Sequence, residues 1–574
     1  MVQNILILSL TRMGDLIQTT PLIKGLKQKY PNAKITLMIS SDFENAVSLI
    51  PYVDDSIIFN LRQFKESDNL EDVSWVKIYR YIESKLNNIR SKSYDMLVNL
   101  SHSRFSALMV HYLKVDNIIG FHCNSTGDRM TGHPWMQYFG TEPFNRNFNE
   151  FNLVEIFSRS AGIDPVGKEI QVLENALPND GLVRGTFNCS KDGLIVGFQI
   201  GSSLENRRWP TASFAKLADL LIEKLNARII LFGVESENKS AEEMIRLSKR
   251  RSEIINLTGK TDLKQLTELL KGCAYLVTND TGTMHLAAAL KTKVIGLFFA
   301  HAHPFETAPY SIGHLIFQAR ISCAPCSYGV HCNNIICIDK VKPIHILSFI
   351  KNYEAHKTWK LPFDLKDCQE LNIYETVSSA QKLVRLKPMI KHEISINDIF
   401  RLAYSVLWRE KLDQEINTDR ESIQEALEEF DHRNSILTLE KLEDKVTILA
   451  DIESLSLNGT MLCENIIKVA SELNSKPTIL AKFGEDIVKI DEQIELVGMS
   501  NPELKLLIDM FNKRKENQNG CDIGQLGLEC IDYYILLKKE SRRLVEILSM
   551  YKEIIFSLSD YNTHNSIKVC VPGR

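Results

Sequence analysis

The 574-residue chain contains no apolar run of the ~18–20 residues that a membrane helix needs, so no transmembrane segment is expected. Its beginning, MVQNILILSL, lacks both a cationic stretch and a small-residue cleavage site, and is not read as a secretory signal peptide. Positive charge is not in excess. Lys and Arg number 68 against 72 Asp and Glu, leaving a net charge of −4, and nothing in that balance suggests nucleic acid, which usually needs a concentrated basic face. Cysteine is sparse, at twelve positions, which excludes a disulfide scaffold. No fixed-period repeat is found. With 44% hydrophobic and 24% charged residues, what remains is a globular, cytoplasmic protein, whose length suggests about three to four domains.

Residues 1–355 alternate strand-like and helix-like segments. NILILSL (4–10), KITLMIS, YDMLVNLS (94–101) and NIIGF (117–121) are short continuous apolar runs, as parallel strands buried on both faces should be, with a helix expected over 15–30. An irregular stretch rich in Asn, Phe, Gly and Pro fills 123–152. The pattern then restarts with GLIVGFQIGSS (193–203), RIILFGVES (228–236), EIINLTG, YLVTND and KVIGLFF (293–299), with a helix at 211–225. Two strand–helix series in succession imply two Rossmann-like doubly wound α/β domains with a ligand cleft between them. The expected divisions are 1–180, 181–356, a connector at 357–394, and a mainly α-helical domain at 395–574. In that last region Leu439, Leu442, Val446 and Leu449, and likewise Ile487, Ile490, Ile494 and Val497, follow the 3-4-3 spacing of packed helices.

Polar residues gather where strands end. The first strand runs into SLTRMGDLIQTTPL (9–22), where Gly14 permits a tight turn and Asp15 falls at a helix start. Asp15 reads either as an ordinary helix cap or as a carboxylate able to take a proton from a hydroxyl. In GFQIGSSLENRRWP (197–210), Ser202 offers a small donor, while Arg207 and Arg208 form either a phosphate clamp or a solvated charge pair. Glu235 or Glu237 lies just past a strand, where an acid can bond ribose hydroxyls. In TNDTGTMHLAAAL (278–290), Thr281, Gly282 and Thr283 open a helix whose free N–H groups and dipole favour an anion, and His285 lies within one turn. Asp280 would repel phosphate, and is expected to orient neighbouring groups or sugar hydroxyls.

RMGDLIQTTPLIKGLKQKYPNAKITLMI, RRWP and NDTGTMHLAAALKTKVIGLF, in this order and at these separations, closely resemble glycosyltransferase family 9, the ADP-heptose:lipopolysaccharide heptosyltransferases. The resemblance covers residues 1 to about 350. It implies a GT-B fold and inverting transfer with no cofactor required for catalysis. It also implies Asp15 as general base, with Gly14 and Arg12 on the acceptor side. Ser202, Arg207, Arg208, Glu237, Asp280, Thr281, Gly282, Thr283 and His285 would lie on the donor side. Arg207 stands where relatives often carry Lys, and Arg12 where some carry a small hydroxyl residue. The implied donor is ADP-heptose and the implied acceptor a lipopolysaccharide core or related glycolipid, reached by peripheral contact with the cytoplasmic face of the inner membrane. Alternatives are a protein acceptor (an autotransporter or flagellar protein), a sugar-nucleotide epimerase of the same fold, and a non-catalytic scaffold. The helical extension suits protein recognition or oligomerisation.

CAPCSYGVHCNNIIC spaces Cys323, Cys326, Cys332 and Cys337 as C-x2-C-x5-C-x4-C. Four thiols so close together are expected to form a structural tetrahedral Zn or Fe site, with free thiols or disulfides as the alternative.

Overall fold

The computed structural model describes residues 2–60, 75–141, 145–174, 180–188, 193–413, 420–471 and 477–568. The chain divides into two compact units, one made of 1–128 with 152–390 and the other of 129–151 with 391–574.

The strands run β1 (Asn4–Ser9), β2 (Lys34–Ser40), β3 (Asp55–Phe59), β4 (Met96–Asn99), β5 (Ile118–Cys123), β6 (Arg129–Gly132) and β7 (Ile195–Gln199). They continue as β8 (Arg228–Phe232), β9 (Ile254–Asn256), β10 (Tyr275–Asn279), β11 (Lys293–Phe298), β12 (Leu315–Ala319), β13 (Leu371–Ser378) and β14 (Val384–Pro388). In the first unit β3, β2, β1, β4 and β5 lie side by side in that order, all parallel. An eight-stranded sheet in the same unit has the order β14-β13-β12-β11-β10-β7-β8-β9. Its strands β7 to β12 are parallel, and read from β9 to β12 they repeat the doubly wound order 3-2-1-4-5-6. The central strands β1, β4, β7, β10 and β11 are almost wholly buried, and for that reason they are rich in Ile, Leu, Val and Phe.

Two expectations are corrected. The helix placed at 15–30 is two helices, Met13–Gln18 and Thr20–Lys29, because Thr19 closes the first and the Pro that follows Thr20 opens the second. Residues 357–394 are not a plain connector. They carry β13 and β14, an antiparallel pair that extends the second sheet beyond β12. Leu371 and Ile373 are buried against the core while Asn372 and Tyr374 are half-exposed, the alternation of a sheet with one covered face.

The second unit is helical, with helices at Ile396–Leu412, Ile436–Ser471, Pro477–Ser500, Lys505–Glu516 and Ile523–Lys568. Leu439, Leu442 and Leu449 of the first expected stripe, and Ile490 and Ile494 of the second, are buried, whereas Val446, Ile487 and Val497 are half-buried. At Gly459 a Cβ would stand 2.5 Å from the Tyr534 ring, so the two longest helices approach closely there. Arg514 and Glu540 form a buried bidentate pair at 2.7 Å. The stretch 129–151, read as irregular, belongs to this unit. Trp135 Nε1 donates to Asp413 at 2.6 Å, and Asn145 Nδ2 to Asp509 at 2.7 Å. Among the described residues no helix is long and apolar enough to cross a membrane.

Candidate active site

In the first unit β1 ends at Ser9, and the chain turns through 10–12 into the helix Met13–Gln18. Asp15 Oδ2 accepts the Arg12 N–H at 3.2 Å, as an acid in the first turn of a helix does. Burial pushes its carboxyl above the ordinary carboxylate range. The N–H and charge of Arg12 and the Thr11 hydroxyl oppose that push, and the Asp280 charge adds to it.

β10 ends at Asn279, and Asp280 and Thr281 lead into the helix Gly282–Ala289. Thr281 is the N-cap residue, but its side chain makes no cap bond; its hydroxyl lies 3.3 Å from Thr278 Oγ1. The first-turn N–H groups therefore keep their dipole without a side-chain acceptor, an arrangement that favours an anion.

Two glycines bring these helix starts together. A Cβ on Gly14 would stand 3.0 Å from His285 Cδ2 and 3.4 Å from Gly282 Cα, and one on Gly282 would stand 2.8 Å from Met13 Cε and 3.2 Å from the Gly14 nitrogen. Residues 268 positions apart in sequence thus pack directly against one another. His285 is 3% exposed, and burial lowers its pKa to about 4 against the pull of Asp280. The imidazole is therefore neutral at physiological pH and adds no cation beside Asp15.

Arg207 and Asp280 form an ion pair, and Arg207 Nη2 also donates to the Asp280 backbone oxygen at 2.8 Å. Thr307 Oγ1 approaches the same carboxylate at 3.4 Å. Arg207 is thus not the free phosphate cation that the RRWP motif suggests. It is buried because it neutralises Asp280, and it does so 73 residues away in sequence. Arg208, half-buried, donates Nε to the Ser202 carbonyl at 2.8 Å and has no carboxylate partner among the described residues. Ser202 is buried and its hydroxyl has no partner there either.

Of the two candidate ribose acids, Glu237 is the one held against the end of β7. It accepts Gln199 Nε2 at 3.1 Å and the Val234 N–H at 3.0 Å, and a Cβ on Gly201 would overlap its carboxylate at 1.6 Å. Glu235 instead lies against Gly259, where a Cβ would come within 2.0 Å of its Oε2. Sequence reasoning missed two buried amides. Gln199 links Glu237 to Thr283, whose Oγ1 donates to its Oε1 at 3.3 Å. Asn279 donates to the Ile200 and Gly201 carbonyls at 3.0 and 3.1 Å and accepts the Trp209 N–H at 3.0 Å. An amide at the last position of a buried strand was the available signal.

Residues 84–333 match the family model for glycosyltransferase family 9 (heptosyltransferase). Lipooligosaccharide heptosyltransferase 2 of Haemophilus influenzae is 27% identical over 321 residues, which are 54% of this chain and 86% of that protein. Lipopolysaccharide heptosyltransferase 3 of Escherichia coli K12 is 24% identical over 298 residues, 51% of this chain and 81% of that one. The solved E. coli ADP-heptose heptosyltransferase II is 20% identical, covers 62% of this chain and 99% of its own, and superposes with a TM-score of 0.47. The family match is confined to residues 84–333, less than half of the chain. The chain is a glycosyltransferase, and roughly half of it lies outside the stretch these heptosyltransferases align with. The family match takes in Ser202 through His285 but stops short of Gly14 and Asp15, so for those two the transferase's own geometry is the argument.

The metal centre expected at the four cysteines finds no support among the described residues. Cys323 is exposed, Cys326 and Cys332 are half-buried, and Cys337 is buried on the short helix Ile336–Lys340. Cys337 packs into the core with Ile338 and Val341, where burial pushes its thiol pKa up. The nearby Cys323 and Cys332 add to that rise. Among the described residues no group of three or more His, Cys, Asp or Glu side chains is placed to hold a metal ion.

Proposed function

We propose that the enzyme is an inverting heptosyltransferase that moves heptose from ADP-heptose to a hydroxyl of a lipopolysaccharide or lipooligosaccharide core. The observation that carries this reading is the juxtaposition, at Gly14 and Gly282, of a carboxyl with raised pKa and the uncapped start of the Gly282–Ala289 helix. In the proposed step Asp15 takes the proton of the acceptor hydroxyl as its oxygen bonds to the anomeric carbon. The bond from that carbon to the β-phosphate oxygen breaks on the opposite face, and ADP leaves with the electron pair. The N–H groups of Gly282 and Thr283, with Thr281, receive the diphosphate charge as it develops. Arg208 and the Ser202 hydroxyl are the nearby groups free to join them. Glu237, held by Gln199, is assigned to the ribose hydroxyls.

Asp280 is paired with Arg207, which offsets its charge toward phosphate; it is assigned to orient the donor sugar with His285. Gly14 and Arg12 are assigned to the acceptor side. The reading requires no metal in the transfer step and places the enzyme in the cytoplasm, where nucleotide sugars are made. The names of the aligned curated proteins, lipopolysaccharide and lipooligosaccharide heptosyltransferases, support the donor and acceptor classes.

The test is calorimetric titration with ADP, UDP, GDP and ADP-heptose, followed by mass analysis of product on a core oligosaccharide lacking its heptose. Selective ADP and ADP-heptose binding that weakens in Thr281→Val, together with a heptose-sized mass gain, is the expected result. Preference for UDP or GDP would overturn the donor. Donor turnover only with a protein present would move the acceptor to the protein class.

A further inference from the structure

Away from the cleft, the first unit has an open cavity of about 400 Å³ at the far end of the Gly282–Ala289 helix. An eight-residue helix is about 12 Å long, and the cavity reaches only its last residue and Lys291 beyond, so it is separate from the Gly14–Gly282 contact. Lys24, Lys168, Lys291 and Lys382 line it, from four separate parts of the chain, against a single carboxylate, Glu169. That carboxylate is spent internally, since it pairs with Lys291 and accepts the Ile312 N–H at 3.2 Å. The Lys24 and Lys382 ammonium groups have no ion-pair partner among the described residues. Lys168 Nζ reaches only a carbonyl, that of Asp164, at 2.5 Å.

Three uncompensated cations facing one hollow are unusual in a chain whose net charge is −4. Mutual repulsion disfavours such a grouping unless an anion relieves it. Gln171, also on the wall, adds a solvent-shielded amide nitrogen with no partner among the described residues, a donor suited to an oxygen-rich ligand.

We propose that this cavity binds a ligand carrying two or more phosphate groups, at a site distinct from the nucleotide-sugar site. Lysines act on phosphate as point charges with rotatable donors, and the volume exceeds what one phosphate fills. The phosphates come either from a soluble diphosphate ester or from a lipid headgroup.

The probe is inorganic pyrophosphate, titrated by calorimetry into the full chain saturated with ADP. The comparison variants are Lys24→Ala/Lys382→Asn and Thr281→Val; Asn suits the positive φ of 60° at position 382. Pyrophosphate should bind in the presence of ADP, lose about tenfold or more in affinity in the double lysine variant, and be unaffected in Thr281→Val. Cosedimentation with phosphatidic acid vesicles, but not with phosphatidylcholine vesicles, that disappears in the lysine variant would assign the phosphates to a lipid. Pyrophosphate binding without vesicle binding would assign them to a soluble ester. No pyrophosphate binding, or equal affinity in the lysine variant, overturns the site. A chain that fails to bind ADP would refute the donor assignment while leaving this comparison readable.

Discussion

Asp15 and Asp280 follow β1 and β10, each beside a glycine that starts or lies within a short helix, yet the fold treats the two carboxyls differently. Asp280 is given a buried guanidinium, a hydroxyl and a second bond from Arg207 to its own backbone oxygen. Asp15 receives one N–H from its own turn, the partial help of the exposed Arg12 and the Thr11 hydroxyl, and a burial cost that outweighs them. One acid is therefore held in an ion pair. The other is kept poised, at the expense of stability, where it can accept a proton. Active sites are built from such inequalities between similar groups.

The largest expected effect tests the poised acid. Asp15→Asn keeps the shape and removes the base, so transfer should fall by about 10²–10⁴-fold while ADP affinity stays within error. The wild-type rate should rise with pH through a midpoint above the ordinary carboxylate value, and the variant's residual rate should lose that limb. Stability moves the opposite way. A carboxyl with raised pKa binds its proton more tightly in the folded state than in the unfolded one. Wild-type stability should then fall as pH climbs from the ordinary value through the raised one, and stay lower above it. The Asn variant escapes this loss and should melt higher at neutral pH. A variant that melts lower and still transfers would remove Asp15 from both roles.

The paired acid is tested through its partner. Arg207→Met leaves the Asp280 carboxylate buried without its cation and should cost about 3–5 kcal/mol in denaturant unfolding. Adding Asp280→Asn removes the stranded charge and should restore much of that loss. A single-variant cost equal to the double-variant cost would show that the pair is not the source. Arg208→Met makes the contrast sharper, because no carboxylate depends on it. It should leave stability nearly unchanged, and any effect should appear in ADP affinity.

What could be read from sequence followed physical locality. β1, β2, β4, β7, β8, β10 and β11 announce themselves as continuous apolar runs, and the turns after β1 and β10 as Gly and Asp at helix starts. β13 and β14 escaped because a strand covered on one face mixes polar residues into a short segment, and LNIYETVS reads as a linker until β12 is beside it. The Arg207–Asp280 pair escaped for another reason. RRWP advertises charge, but only the meeting of two loops decides which Arg is neutralised.

The smallest expected effect concerns the seam between the two helix starts. Gly14→Ala adds one methyl 3.0 Å from the His285 ring, a neighbour hemmed in by its own burial. Against this, alanine in a helix gains up to about 1 kcal/mol over glycine, so net stability should move by less than about 1 kcal/mol in either direction. Geometry has no such offset. The clash is relieved by moving the helix Met13–Gln18, and Asp15 with it, by some tenths of an ångström away from the start of the Gly282–Ala289 helix. Transfer should fall by about tenfold at saturating donor, since misplacement of about 1 Å costs up to about a hundredfold. ADP affinity should stay unchanged, because the proposed diphosphate groups lie on the other side of the seam. Equal loss in ADP affinity would mean that the seam holds the donor as well. An unchanged rate would mean that Asp15 does not need the close approach of the two glycines, and the comparison of the two acids would rest on charge alone.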